Sequence, residues 1–408
     1  MRESRNNKID KPINQTVLVF GNIRVKENFF LCMSIALYYA FAVLTRVQSS
    51  VFQGSTVLAT IIRFGTYGII LLILLGLIGN TRRLAILLVL EALTGIIFLL
   101  SVSTGNIGSL NWQNIYQLIA TTYIPLAMAA YYITDRKLLM KMLYFVAVVS
   151  VPILIAISIM TYGNWEHSYD MSLGYVMVFS ALVLIAQFTI DSKIYNILLA
   201  ALLSLFILFV GSRGPFICIM AFGILELLLS KRYTPKKKMA IIIIICIAVW
   251  TIWVNLDNLL MLIYRQSVNL GFNSRSLLLL MEGEAVSHDS GRGVLQEYYT
   301  QLIQRKPVLG YGVMGRWISD ETYPHNIVLE FLLSYGYLVG IPLLLALLYI
   351  FVKGVKAKNT KYNNALIVLF VSYCMHLFVS GTYLKVWQFF VCIALCLPNR
   401  MIMNHYDE

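Results

Sequence analysis

The chain has 408 residues, 59% of them apolar and only 12% charged, about half the charged share of a soluble globular domain. A soluble monomer is excluded, because apolar runs of roughly 17 to 25 residues recur more often than one buried core can absorb. Basic residues outnumber acidic ones by 32 to 19, for a net charge of +13, and in a chain of spans that excess is read as topology before it is read as affinity for nucleic acid.

In chain order, Arg2, Arg5, Lys8, Lys11, Arg24 and Lys26 precede the first apolar run, and no small-residue cleavage site follows at signal-peptide distance. This reads as a retained cytoplasmic tail. The apolar runs then predict about twelve spans, near 28–45, 55–79, 84–101, 113–132, 142–161, 171–190, 194–210, 215–230, 239–255, 326–352, 364–380 and 386–398. The expected fold class is an all-α polytopic membrane protein, a single membrane domain over residues 1–408. Between the spans, cations alternate. Arg82 and Arg83, then Arg136, Lys137 and Lys141, then Lys193, the cluster from Lys231 to Lys238, Lys353 to Lys361 and Arg400 fall on one set of connections. The other short connections hold only Arg46, Arg213 and Lys385. The positive-inside rule then puts both termini in the cytoplasm, and nucleic acid is not implied. All six cysteines (Cys32, Cys218, Cys246, Cys374, Cys392 and Cys396) lie inside apolar runs without paired spacing, as core-filling residues do.

One connection, residues 256–323, is long enough to fold and is expected outside. Within it Val294, Leu295, Tyr298, Leu302 and Ile303 recur at helical spacing, which predicts an amphipathic helix after Arg292 lying on the membrane surface. Loops of this length are usually functional or disordered, and the apolar stripe favours function.

Chemistry is carried by a few motifs. GSRGP, Gly211 to Pro215, sits at an outside turn, with Pro215 suited to the first position of a helix. Ser212 to Gly214 would then offer free N–H groups and the positive dipole end to an anion, beside the charge of Arg213. The competing reading is a tight turn with Arg213 snorkelling to lipid phosphates. TYPHN, Thr322 to Asn326, closes the long loop. Pro324 at a helix start would place His325 in the first turn, where the dipole favours the neutral imidazole, a competent general base; a purely structural histidine is the commoner outcome. Arg292 lies in SGRG ahead of the amphipathic helix, and KPVLGYG, Lys306 to Gly312, follows it. Arg63, some eight residues into the second span, is either functional or an outward-snorkelling anchor.

Other patterns are discounted. Gly310, Gly312 and Gly315 spell GxGxxG without a preceding strand, Gly336 and Gly340 suit close helix packing, and His376 reads as a satisfied core residue. No P-loop, HExxH or DxD pair occurs.

Together, GSRGP before a helix, SGRG in one long loop, a GYG turn and then PHNxxLExLLxYG entering a span resemble the O-antigen polymerase and ligase superfamily. The resemblance implies a GT-C-like helical membrane glycosyltransferase acting on undecaprenyl-pyrophosphate-linked sugars at the outer face of the cytoplasmic membrane. By resemblance, Arg213 and Arg292 would contact pyrophosphate and His325 would serve the acceptor hydroxyl, with Ser212, Gly214, Arg63 and Asn326 as candidate substrate-binding residues. No metal or cofactor is called for, since two arginines and a helix N-terminus can neutralise a pyrophosphate leaving group. A flippase and a chain-length regulator are the implied partners. Polymerase is the favoured reading, ligase the alternative within the superfamily. A lipid-linked oligosaccharide flippase or other transporter is disfavoured, because only Arg63, Glu91, Glu226 and Glu330 fall within spans.

Overall fold

The computed structural model describes residues 17–20, 23–52, 55–78, 80–104, 112–162, 171–209, 214–229, 234–240, 243, 265–266, 269, 292–319, 322–357 and 360–398. A two-stranded antiparallel hairpin, β1 (Val17–Phe20) and β2 (Ile23–Lys26), leads into the helices. These are α1 (Glu27–Ser50), α2 (Thr56–Leu77), α3 (Thr81–Ser103), α4 (Trp112–Leu118), α5 (Ile124–Tyr132), α6 (Arg136–Tyr162), α7 (Met171–Asp191), α8 (Ile194–Phe209), α9 (Gly214–Leu229), α10 (Arg292–Arg305), α11 (Ile327–Lys356), α12 (Lys361–Cys374) and α13 (Trp387–Cys396).

Among the described residues six helices, α1, α2, α3, α6, α7 and α11, are long and apolar enough to cross a membrane, with α8, α9 and α13 shorter but apolar. The expected span near 239–255 lies largely outside the described residues. The other expected spans coincide with helices to within a few residues, but several are short or irregular, so a count of twelve crossings is not established by length. The stretch expected at 113–132 is one example. Pro125 supplies no N–H to the preceding turn, and α4 and α5 are joined by a wider π-type turn, Ile119–Tyr123.

The helices differ in how they meet their surroundings. Most of α7 is buried inside the protein, whereas little of α2 is, so α7 is central and α2 peripheral. Phe179 of α7 is the hub. Its ring lies 4.9 Å from Tyr39, 5.6 Å from Phe370, 5.2 Å from Tyr373 and 5.6 Å from Trp387, so one aromatic ties α1, α7, α12 and α13 together. In contrast Phe64, Leu71, Leu88, Leu99 and Leu100 on α2 and α3 are exposed, an apolar surface suited to lipid.

Helix α11 departs from expectation. Gly336 has φ 65° and ψ −173° and breaks the helix. In a continuous helix the Tyr337 N–H would reach the Leu333 carbonyl and the Leu338 N–H the Ser334 carbonyl. Here all four groups turn to residues 307–312. The Tyr311 and Gly312 N–H groups donate to the Leu333 and Ser334 carbonyls at 2.8 Å, and the Tyr337 and Leu338 N–H groups donate to the Pro307 and Val308 carbonyls at 2.6 and 3.2 Å. The loop backbone thus repairs the broken helix, as irregular backbone at membrane depth requires. Gly336 is therefore a break, not half of a helix-packing pair. A Cβ on it would stand 2.2 Å from the Val308 oxygen, and one on Gly310 2.6 Å from the Gly336 nitrogen. The remainder of the GYG turn reaches α3, where the Val313 N–H donates to Ser101 Oγ at 2.9 Å.

Helix α10 also corrects the sequence reading. It begins at Arg292 as expected, but it packs on α11 instead of presenting its stripe to the membrane surface. Tyr299, Leu302 and Ile303 are buried and Leu295 packs beside them, whereas Val294 and Tyr298, assigned to the apolar stripe, are exposed. The inward face is rotated by about one residue, because Tyr299 carries a hydroxyl that reaches the Thr322 carbonyl at 3.0 Å and is satisfied inside.

Candidate functional site

The candidate site is assembled around the short 3-10 turn Met375–Phe378 that ends α12. On one side, the buried His376 ring lies 4.4 Å from the Tyr175 ring of α7, and its Nδ1 lies within hydrogen-bond distance of the Tyr373 carbonyl. The Tyr175 hydroxyl in turn crowds the first residue of α9, where a Cβ added to Gly214 would stand 2.3 Å away. The glycine of GSRGP thus allows α7 to approach the helix start, and Gly214 itself begins the helix, one residue ahead of Pro215. On the other side, Asn326 Nδ2 donates to the Phe378 carbonyl at 2.8 Å. One four-residue turn therefore lies between the helix carrying Gly214 and the motif carrying His325, more than one hundred residues apart in sequence.

His325 does not occupy the first turn of α11. The helix opens at Ile327 and its N-cap is Asn326, whose Oδ1 accepts from the Val328 and Leu329 N–H groups at 2.9 and 3.2 Å. Asparagine wins this position because its short amide reaches the free N–H groups of the first turn, and imidazole does not. His325 precedes the cap in the left-handed region, φ 52°, a conformation His and Asn adopt more readily than most residues. Its ring lies 4.1 Å from that of Tyr323, which lies 5.0 Å from that of Trp317. The imidazole is thus oriented by an aromatic stack and not by the helix it precedes.

Of the remaining sequence candidates, Ser212 and Arg213 lie outside the described residues. Arg292 is placed as the first residue of α10, a helix whose Tyr299 is tied to Thr322 in the TYPHN motif. Arg63 is exposed on α2, whose buried residues, Ile69, Ile73, Gly76 and Leu77, fall in its second half. The amide of Asn326 is engaged as cap and tether.

Two features escaped the motif search. The first is a cleft of about 880 Å³ bounded by α3, α5 and α13, running from Arg82 and Arg83 past Leu90 and Phe98 to Val313, Tyr335 and Tyr383. At its Arg83 end lies the one ion pair among the described residues, Arg83 Nη1 to Glu27 Oε1 at 3.0 Å, with the guanidinium 4.6 Å from the Tyr132 ring centroid. The second is the segment Thr382–Lys385 at the other end. The Thr382 hydroxyl donates to the buried Glu330 carboxylate and accepts from the Leu384 N–H, and Tyr383 and Leu384 line the cleft. No sequence spacing announces either feature, although Glu330 stood out as a carboxylate within an apolar run.

The fold and this site define a helical membrane protein whose motif-bearing segments converge at one 3-10 turn. Residues 198–345, a little over a third of the chain, match the family model described as O-Antigen ligase. That match supports membership of the O-antigen ligase and polymerase superfamily, whose members are membrane glycosyl-transferring enzymes. No curated protein and no solved structure matches the chain.

Proposed function

We propose that this protein is a polysaccharide polymerase that joins undecaprenyl-pyrophosphate-linked repeat units of an O-antigen, capsule or exopolysaccharide at the outer face of the cytoplasmic membrane. The observation that carries this reading is the convergence at the 375–378 turn: Gly214, next to Arg213, meets it through Tyr175, and Asn326, next to His325, meets it through Phe378.

In the proposed reaction an acceptor sugar hydroxyl attacks the anomeric carbon of the donor from the side opposite the pyrophosphate, inverting that centre. The carbon–oxygen bond to pyrophosphate breaks, and its electron pair leaves on the lipid pyrophosphate. The hydroxyl proton passes to His325, a transfer worth about 10²- to 10⁴-fold in rate. Arg213, Arg292 and the N-terminus of α9 take up the charge developing on the leaving group without a metal ion. Asn326 fixes the backbone beside His325. The cleft along α3 suits the polyprenyl chain, being lined by Ile86, Leu90, Phe98, Met128 and Ile393. Arg63, exposed on a peripheral helix, is given no part in the chemistry.

The test uses purified protein, excess lipid-linked repeat units and no added divalent metal. Arg213→Ala and Arg292→Ala should abolish polymer, and Arg213→Lys should be severely impaired because an ammonium lacks the planar fork of guanidinium. His325→Gln should bind donor but lose at least about a hundredfold in transfer. Near-normal polymer from His325→Gln would remove the proton-accepting role. A single transfer to a distinct acceptor, with no ladder of repeats, would assign the chain as a ligase.

A further inference from the structure

We propose that Lys385 is a further donor-binding residue, which holds the pyrophosphate of the lipid-linked substrate at the mouth of the α3 cleft beside His325. The inference rests on the transferase reading above and adds a residue that no motif contains.

Position is the first argument. Lys385 closes the 3-10 turn Tyr383–Lys385. The two preceding residues, Tyr383 and Leu384, are buried and line the apolar cleft, and Lys385 itself is exposed. Within three residues the chain passes from the wall of an apolar cleft to a cation. A ligand with a long apolar tail and an anionic head matches that sequence of surfaces. The Lys385 ammonium lies 5.8 Å from the centroid of Tyr323, the ring stacked on His325 at 4.1 Å. One aromatic side chain thus contacts both the candidate anion-binding group and the candidate base, which keeps the two within the span of a single pyrophosphate-linked sugar.

Rigidity is the second. A lysine that only snorkels to the membrane surface needs no fixed backbone. Here the turn is held from several sides. Thr382 caps it through the Leu384 N–H while donating to Glu330, a carboxylate with no exposed surface. The Lys385 carbonyl accepts from the Tyr123 hydroxyl at 3.0 Å, and the Tyr383 hydroxyl lies 3.1 Å from that of Tyr335. Placing a buried carboxylate under a three-residue turn is costly in an apolar setting, and the feature it fixes is the placement of residue 385. Lysine serves phosphate as a compact point charge, which complements the arginines of the other motifs.

The experiment measures donor saturation in neutral-detergent micelles free of phospholipid, with inorganic pyrophosphate as a competing anion. Lys385→Ala should raise KM for the lipid-linked donor at least tenfold with kcat within about threefold, and should weaken pyrophosphate competition by a similar factor. Lys385→Arg should restore KM to within about threefold. Thr382→Val, which removes the strap to Glu330 but leaves the lysine, should raise KM in the same direction. An unchanged KM and unchanged pyrophosphate competition in Lys385→Ala would overturn the proposal. So would a defect that appears only in vesicles of acidic phospholipid and not in micelles, since that marks a headgroup anchor. Should the parent protein transfer no sugar at all, the transferase reading falls separately. Lys385 is then judged by direct binding of farnesyl pyrophosphate, read from tryptophan fluorescence with Trp317 stacked on Tyr323: a tenfold weaker affinity in Lys385→Ala upholds the contact, and an equal affinity refutes it.

Discussion

Replacing Gly336 by alanine probes the break in α11 directly. The residue's φ of 65° and ψ of −173° lie in a region open essentially to glycine, and forcing another residue into it costs about 1–3 kcal/mol. The added Cβ would also stand 2.2 Å from the Val308 oxygen, so residues 307–312 must move. That segment and the helix share four backbone hydrogen bonds. If alanine closes the helix, Tyr337 and Leu338 regain helical partners, but the Pro307 and Val308 carbonyls and the Tyr311 and Gly312 N–H groups lose theirs. Losing two bonds net, at about 0.5–1.5 kcal/mol each, costs about 1–3 kcal/mol, the same size as the strain alanine pays if the break persists, so either route destabilises by about 1–3 kcal/mol. For a chain of 408 residues that corresponds to a drop of about 1–4 °C in melting temperature. The assay is thermal unfolding in detergent, with Gly223→Ala as reference. Gly223 lies within α9, and a Cβ there meets nothing within 4 Å, so that variant should be neutral or up to about 1 kcal/mol more stable. Equal melting of the two variants would refute the account of the break.

Two further outcomes test other parts of the structure. Arg83→Ala leaves the Glu27 carboxylate buried without its cation and should cost about 3–5 kcal/mol, whereas Arg83→Met combined with Glu27→Leu should cost less than Arg83→Ala alone; full additivity in a double-mutant cycle read by detergent melting would refute a coupled pair. Reporter fusions at Lys236 and Lys358 should read as cytoplasmic and one near Glu284 as outside, and a cytoplasmic signal near Glu284 would place the long loop on the wrong side for externally presented lipid-linked units.

Helix positions were legible in the sequence because a membrane-length helix is written as an uninterrupted apolar run, and eleven of the expected spans coincide with helical segments among the described residues. The hairpin before α1 was not foreseen, being too short to leave a pattern that a search for apolar runs detects. Motif order was legible too: GSRGP, SGRG, GYG and PHN pointed, before any geometry was known, to the superfamily that the match over residues 198–345 supports. The sequence offered Gly310 only as part of a discounted GxGxxG match and Gly336 only as half of a helix-packing pair. Each looked like part of a local pattern, but both serve one close backbone crossing: a Cβ on Gly310 would meet the Gly336 nitrogen, and a Cβ on Gly336 would meet the Val308 oxygen.

Only tertiary packing decided the rest. Helical spacing defined a stripe on α10 but not its rotation, which the buried hydroxyl of Tyr299 fixed by reaching Thr322. Proline suggested a helix start at residue 324, but the competition of side chains for free N–H groups moved it to Asn326 and left His325 outside the helix against Tyr323. Lys385 read as a lone cation on a short connection, and nothing in its neighbourhood along the chain links it to residues 323–325. A folded bundle brings it there because the buried Glu330 holds the Thr382 turn against α11, a contact across 52 residues. Local spacing encodes which face of one helix is apolar; which side chains meet across helices depends on packing and on satisfying buried polar groups, and that was settled only when the bundle closed.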